Sequence, residues 1–317
     1  MNDICNQLVV ISTTSINGKN AGSGFIAKMD GKTYLFTNQH LILGTDSIQF
    51  KTVSGKLLRP QKVELSITRD VVRLLLNQPN ALEVDNLVKI NMPVGVFGNS
   101  EGGGVATELF GKVTGIGADV IEISAEFVSG NSGSPVLTTD KKVFGIASYV
   151  RIPTPTRVNK GTRFEKKIRR FCYRIANDEW KTVNWRTYNK KYGKVYLKHQ
   201  IFVDELIHLI EEWSKQPFLT MSSTSVHSAL LKGWIKKYNA TLETQEKNSS
   251  KTFLKQYAKT FLDLEKCCQH EITQIKKFKK DPQLTEFIQE ETTKQILQLE
   301  FIAEICRSAE HYILKAR

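Results

Sequence analysis

The chain has 317 residues, 40% hydrophobic and 24% charged, with a formal net charge of +13, which is enough for two domains with cores of their own. No apolar run reaches the length of a membrane span, and the first residues do not set a basic segment before an apolar one, so neither a membrane protein nor a secretory signal is expected. Five cysteines (Cys5, Cys172, Cys267, Cys268, Cys306) follow no disulfide framework or zinc spacing, and a reducing cytoplasm is the expected compartment.

The N-terminal half reads as short strands. Runs of β-branched and aromatic residues at 7–12, 24–27, 33–37, 47–50, 71–75, 118–124, 143–149 and 169–175 are separated by Gly, Asn and Asp turns, the pattern of an all-β barrel or sandwich. Charge is unevenly placed along the chain. Residues 1–150 carry 13 basic and 13 acidic side chains, 151–200 carry 15 and 3, and 201–317 carry 17 and 16. The excess therefore sits in one segment. From about residue 185 the period becomes helical. Phe253, Tyr257, Phe261, Leu264, Cys268, Ile272, Ile275 and Phe278 recur at threes and fours, and a second such run begins at Leu284. Asp281-Pro282 predicts a cap followed by proline in the first helical position. Two such helices joined by a short turn should pack antiparallel, with 201–213 and 224–242 as further members of a bundle.

Chemistry-bearing residues concentrate in the β half. His40 is the only histidine before position 199, and it closes the strand-like run Tyr34-Leu35-Phe36-Thr37-Asn38-Gln39-His40. Thirty residues later Asp70 opens Asp70-Val71-Val72-Arg73-Leu74. Ser132 lies in Gly130-Asn131-Ser132-Gly133-Ser134-Pro135, a glycine-flanked turn able to aim backbone N–H groups at one oxygen. Glycine and serine also cluster in ordinary turns, so that string alone is weak. A base, an acid and a hydroxyl in this company are what nucleophilic acyl transfer requires.

Together with Gly22-Ser23-Gly24, these segments resemble the chymotrypsin-fold (trypsin-like) serine peptidases over roughly residues 5–176. The bacterial branch, which includes HtrA-type and staphylococcal glutamyl endopeptidases, is the part of the family they resemble. The resemblance implies a double β-barrel in 1–180, and the helical spacing beyond it predicts a basic linker and an all-α regulatory or interaction domain in 181–317. It implies Ser132 as nucleophile, His40 as general base, Asp70 as its orienter, and an oxyanion hole from the Gly130 and Ser132 N–H groups. Ala147-Ser148-Tyr149-Val150 is similar to the family's substrate-aligning strand, with Ser148 supporting the acid. A zymogen of this family carries an aspartate before the nucleophile; Asn131 stands there, so activation by N-terminal cutting is not expected, in keeping with a fold that begins almost at Met1.

The specificity signals conflict. Val150 would narrow the primary pocket toward small aliphatic side chains. Glu126, six residues before Ser132, would favour Lys or Arg if it formed the pocket floor. Ala147 replaces the histidine of glutamyl endopeptidases, which argues against glutamate. The expected partner is a protein or peptide substrate, with neither cofactor nor metal; His208, His227, His270 and His311 are scattered. The alternative is a catalytically silent scaffold that binds protein or nucleic acid. Residues 157–198 interleave Arg163, Lys166, Lys167, Arg169, Arg170 and Arg174 with aromatics, which suits either a solvated hairpin and linker or a nucleic-acid or acidic partner. The helices of 201–317 are expected to serve regulation, a regulatory partner or self-association.

Overall fold

Eight strands and one helical turn build the first sheet and the approach to the second: β1 (Leu8–Ser15), β2 (Gly18–Met29), β3 (Lys32–Thr37), α1 (Gln39–Ile42), β4 (Ser47–Thr52), β5 (Leu57–Leu58), β6 (Val63–Ser66), β7 (Val72–Leu76) and β8 (Leu82–Glu83). The second set comprises β9 (Pro93–Gly98), β10 (Thr107–Ile116), β11 (Val120–Ile123), β12 (Pro135–Leu137), β13 (Val143–Arg151) and β14 (Arg169–Arg174), after which β15 (Trp180–Val183) returns to the first sheet. This is a computed structural model, and it describes residues 4–151, 161–162, 164, 168–215 and 251–315.

Nine strands form the first sheet in the order β15-β6-β7-β3-β2-β1-β4-β5, with β8 beside β2. The other six close into a barrel, β10-β11-β14-β13-β12-β9. The architecture is the chymotrypsin-like pair of β-barrels, the first half open and the second closed. Each half has a core because successive side chains of a strand face opposite ways. Phe25 and Phe36 are cross-strand partners, fully buried and stacked with centroids 5.4 Å apart; burying one such ring contributes about 1.5–3 kcal/mol. Val96, Val113, Ile121, Val136, Phe144 and Cys172 fill the closed barrel.

The first unit runs to Asn189, beyond the boundary at 180 expected from the sequence. The reason is β15, which pairs with β6 through Trp180–Ser66 and Val183–Val63. Arg73 lies between the Tyr34 and Trp180 rings, 4.5 and 4.4 Å from their centroids, while its Nε donates to Glu64 at 2.7 Å. A short helix, α2 (Trp185–Tyr188), follows, and Asn189 bonds the Gly44 N–H and the Thr45 carbonyl, pinning the end of this unit.

The second unit, Lys190–Arg317, contains α3 (Lys194–Lys215), α4 (Lys251–Lys279) and α5 (Glu286–Lys315). Contacts Lys276–Glu300 and Arg307–Glu265 pair rising numbers on one helix with falling numbers on the other, so α4 and α5 are antiparallel as their spacing predicts. Leu206, Leu264, Cys268, Ile275, Leu299 and Cys306 are among the buried residues of their common core. The start of α5 differs from the sequence reading. Asp281 makes a turn, accepting from the N–H groups of Gln283 and Leu284, and the helix begins later with Thr285 accepting from Gln289 and Ile288. The expected helix at 224–242 lies outside the described residues.

Candidate active site

The site is built by segments that follow strands. α1 turns the chain directly after β3, so His40 emerges at the rim of the first sheet with its side chain 36% exposed. Its neighbours anchor the acid. The Asn38 Nδ2 donates to the Asp70 carbonyl at 2.6 Å, and the Gln39 Nε2 donates to the carbonyls of Ser66 and Arg69 at 2.9 and 2.8 Å. Asp70 is thereby held beneath the histidine, and its carboxylate meets three donors. Oδ1 accepts the His40 backbone N–H at 3.0 Å; Oδ2 faces His40 Nδ1 at 2.5 Å and accepts the Ser148 hydroxyl at 3.0 Å. A carboxylate so satisfied fixes the imidazole's orientation, placing Nδ1 toward the acid and Nε2 at the far end of the ring.

The turn that carries Ser132 is locked from several directions. Gly130 has φ +87°, and a Cβ there would lie 2.2 Å from the Asn99 carbonyl oxygen; Gly133 has φ +87°, and its Cβ would lie 1.9 Å from the Ser23 carbonyl oxygen. Only glycine fits either position. Ser23 donates its hydroxyl to the Gly130 carbonyl at 2.7 Å, accepts the Asn99 N–H, and gives its own N–H to the Ser132 carbonyl at 2.8 Å. Asn131 is fully buried, its Oδ1 accepting from the Val128 N–H and the Ser100 hydroxyl, both at 3.0 Å. The Gly130 and Ser132 N–H groups donate to no protein acceptor among the described residues.

Ser132 Oγ lies 3.4 Å from the Ser148 carbonyl oxygen, so contacts connect Ser132, Ser148, Asp70 and His40 in one constellation. Gly133 N–H donates to the Ala147 carbonyl and Ala147 N–H to the Ser134 carbonyl, which ties the turn to β13. β12 pairs with β13 only as far as Ile146, and beyond Ser148 the strand has β14 alone as its partner. A second strand can therefore add along residues 148–151, beside the serine. On the other side of Gly130 opens a polar groove of about 740 Å³ lined by Ser12, Thr14, Asn20, Gln49, Glu101 and Ser129, among others.

Residues 22–146 match the family model described as trypsin-like peptidase domain. Over this stretch the chain resembles a trypsin-like peptidase domain. The domain is 28% identical over 148 residues to the serine protease Do-like HtrA of Bacillus subtilis (strain 168), covering 40% of this chain and 33% of that protein. It is 31% identical over 146 residues to a probable periplasmic serine endoprotease, DegP-like, of Brucella suis biovar 1 (strain 1330), covering 42% and 28%. The chain thus spans about a third of the length of these relatives. Among solved structures, an M. tuberculosis protease in its active form superposes with a TM-score of 0.45 at 19% identity, over 55% of this chain and 78% of that one.

Of the residues singled out in the sequence, His40, Asp70, Ser132, Gly130 and Ser148 come together. Tyr149, next along the same strand, stacks on Phe171 with centroids 5.0 Å apart. Glu126 stands exposed between buried Ala125 and Phe127, so it is no pocket floor: strand-like alternation turns its side chain to solvent. The sequence assigns no role to Ser23, Asn38, Gln39 or Asn99, because their partners lie far along the chain. Part of the basic segment packs into the fold, while Arg186, Lys190, Lys191, Lys194 and Lys198 are exposed. Arg169 forms a two-pronged pair with Glu122, Arg174 donates to the Gly117 carbonyl, and Tyr188 and Tyr192 are buried. Arg163, Lys166 and Lys167 lie outside the described residues. Burial pushes the Cys172 thiol up to about 12, which removes it as a nucleophile.

Proposed function

We propose that the protein is a serine endopeptidase that cleaves peptide bonds through His40, Asp70 and Ser132. The observation that carries this reading is the triply bonded Asp70 carboxylate, which orients the His40 ring beside a turn with two N–H groups and an exposed strand edge. A substrate strand pairs along residues 148–151 and presents its carbonyl to Ser132. Oγ attacks the carbonyl carbon as its proton passes to His40 Nε2, and Asp70 stabilises the imidazolium. The N–H groups of Gly130 and Ser132 hold the oxyanion. Collapse of the tetrahedral intermediate breaks the C–N bond, and the amine leaves with the proton from Nε2. Water then attacks the ester, giving a proton to Nε2; the acid departs and Oγ recovers that proton.

Asn131 supports a turn that needs no newly cut N-terminus, since the residue satisfies its Oδ1 within the loop. Control would then fall to the helical unit, through a regulatory partner or self-association. The buried thiols of Cys172, Cys268 and Cys306, none of them in a disulfide, support work in a reducing compartment such as the cytoplasm. Among the described residues no helix is long and apolar enough to cross a membrane.

The test is labelling of the full chain with a fluorophosphonate, followed by peptide mapping. Ser132 is expected to carry the adduct, and Ser132→Ala and His40→Ala to abolish both labelling and peptide hydrolysis. A correctly folded chain that never reacts at Ser132 would make the domain a silent scaffold instead.

A further inference from the structure

The inference concerns Arg170 and rests on the peptidase reading above. In β14, Arg170 and Cys172 point the same way, because they are two residues apart on a strand. Cys172 lies fully buried in the closed barrel's core, bonding the Ile121 carbonyl. Arg170 therefore projects toward the barrel's interior, at its end. Its neighbours Arg169 and Phe171 face outward, Arg169 to Glu122 and Phe171 to Tyr149. Across the strand pair, Arg170 is in register with Val150, the residue that borders the expected pocket.

Where the guanidinium ends is set by one contact. Arg170 Nε donates at 2.8 Å to the carbonyl of Phe127, in the segment that leads into the nucleophile turn. The side chain thus crosses from the substrate-strand wall to the wall that carries Gly130 and Ser132. A peptide lying along residues 148–151 with its carbonyl at Ser132 sends the side chain of that carbonyl residue between the same two walls. Arg170 is part-buried and forms no ion pair with a carboxylate among the described residues. The nearest acid in sequence to its acceptor, Glu126, is exposed to solvent. A part-buried cation without a counter-ion is costly, and a carboxylate brought by a ligand relieves that cost with charge-assisted, two-pronged bonds.

We propose that Arg170 makes the primary specificity pocket selective for acidic side chains, so that the chain cleaves after aspartate or glutamate. Val150, flanking Arg170 at the mouth, limits the pocket's width but contributes no charge. Ala147 brings no positive group to this pocket; the neighbouring strand supplies it instead.

The test uses the full chain and peptides that differ only at the residue before the cut: Asp, Glu, Ala, Val, Lys. Wild type is expected to hydrolyse the acidic peptides with a kcat/KM about 10- to 100-fold above the neutral ones. Arg170→Gln should erase that ratio, so that acidic and alanine peptides are cut with similar kcat/KM. Arg170→Lys should keep part of it, and Arg170→Glu should turn it toward lysine. A wild type without acidic preference, or an Arg170→Gln variant that keeps the wild-type ratio, would overturn the inference. A uniform fall for every peptide would overturn it equally, showing that Arg170 only supports the Phe127 carbonyl. Binding separates this failure from failure of the peptidase reading. In Ser132→Ala, which cannot turn over, product-like peptides ending in Glu should bind about 10-fold more tightly than those ending in Ala. Arg170→Gln in that background should remove the difference; equal affinity for both peptides would sink the pocket even where Ser132 labels well.

Discussion

At the scale of single residues, the two acids that matter are both buried, and each is justified by its partners. Asp70 receives donors from His40 and Ser148, so its position is fixed before any substrate arrives. Glu64 serves stability instead. Burial alone would raise its carboxyl, but the bonds from Lys62 and Arg73 outweigh that and hold it below the ordinary value of 4.5. A carboxylate depressed in the folded state adds stability above its unfolded value, and that stability is lost as pH falls through the folded value. Melting temperatures of wild type should therefore drop as the pH is lowered below about 4.5. In Glu64→Gln the neutral-pH melting temperature should be lower and this part of the acid slope shallower. An unchanged slope would show that Glu64 pairs equally well in the unfolded chain.

At the scale of elements, the turn at 130–134 and the strand pair β13–β14 divide the work between them. In the proposed mechanism the turn supplies nucleophile and oxyanion donors, and the strand pair supplies a substrate edge and the groups behind it. The turn has little room to adapt, since a Cβ on Gly130 would meet the Asn99 carbonyl oxygen and the Gly102 nitrogen, at 2.2 and 2.6 Å. Gly130→Ala must also hold a non-glycine residue at φ +87°. Loss of one oxyanion donor costs about 10²–10³ in kcat. The rate of Ser132 labelling in Gly130→Ala should fall by at least that factor; labelling at the wild-type rate would show that the Gly130 N–H takes no part.

At the scale of the whole molecule, the boundary between units decides which fragments can be studied. A chain cut at 180 loses Lys181, Thr182 and Val183 from β15, together with α2 and Asn189. A chain cut at 189 keeps all of them. Fragment 1–189 should unfold in one cooperative transition and keep its circular-dichroism spectrum, whereas 1–180 should melt lower or fail to fold. Comparing the turnover of 1–189 with that of the full chain then tests whether the helical unit exerts control. Equal rates would restrict that unit to recruitment or self-association.

The amino-acid sequence determined what depends on neighbours in the chain. Period-two and period-3.6 runs marked the strands and the two long helices, and His40, Asp70 and Ser132 stood out through their local settings. Tertiary structure decided everything that depends on residues far apart. The Ser23 hydroxyl meets Gly130 across 107 positions, and Ser148 meets Asp70 across 78; no local pattern encodes such pairs. Glu126 looked like a pocket acid by counting back from Ser132, but the alternation of exposed and buried residues over 124–128 turns it outward. Arg170 looked like one charge in a basic run, but the register of β14 turns it inward beside Val150. The period of two is visible in a sequence, whereas the face it assigns to the core is fixed only when the barrel closes.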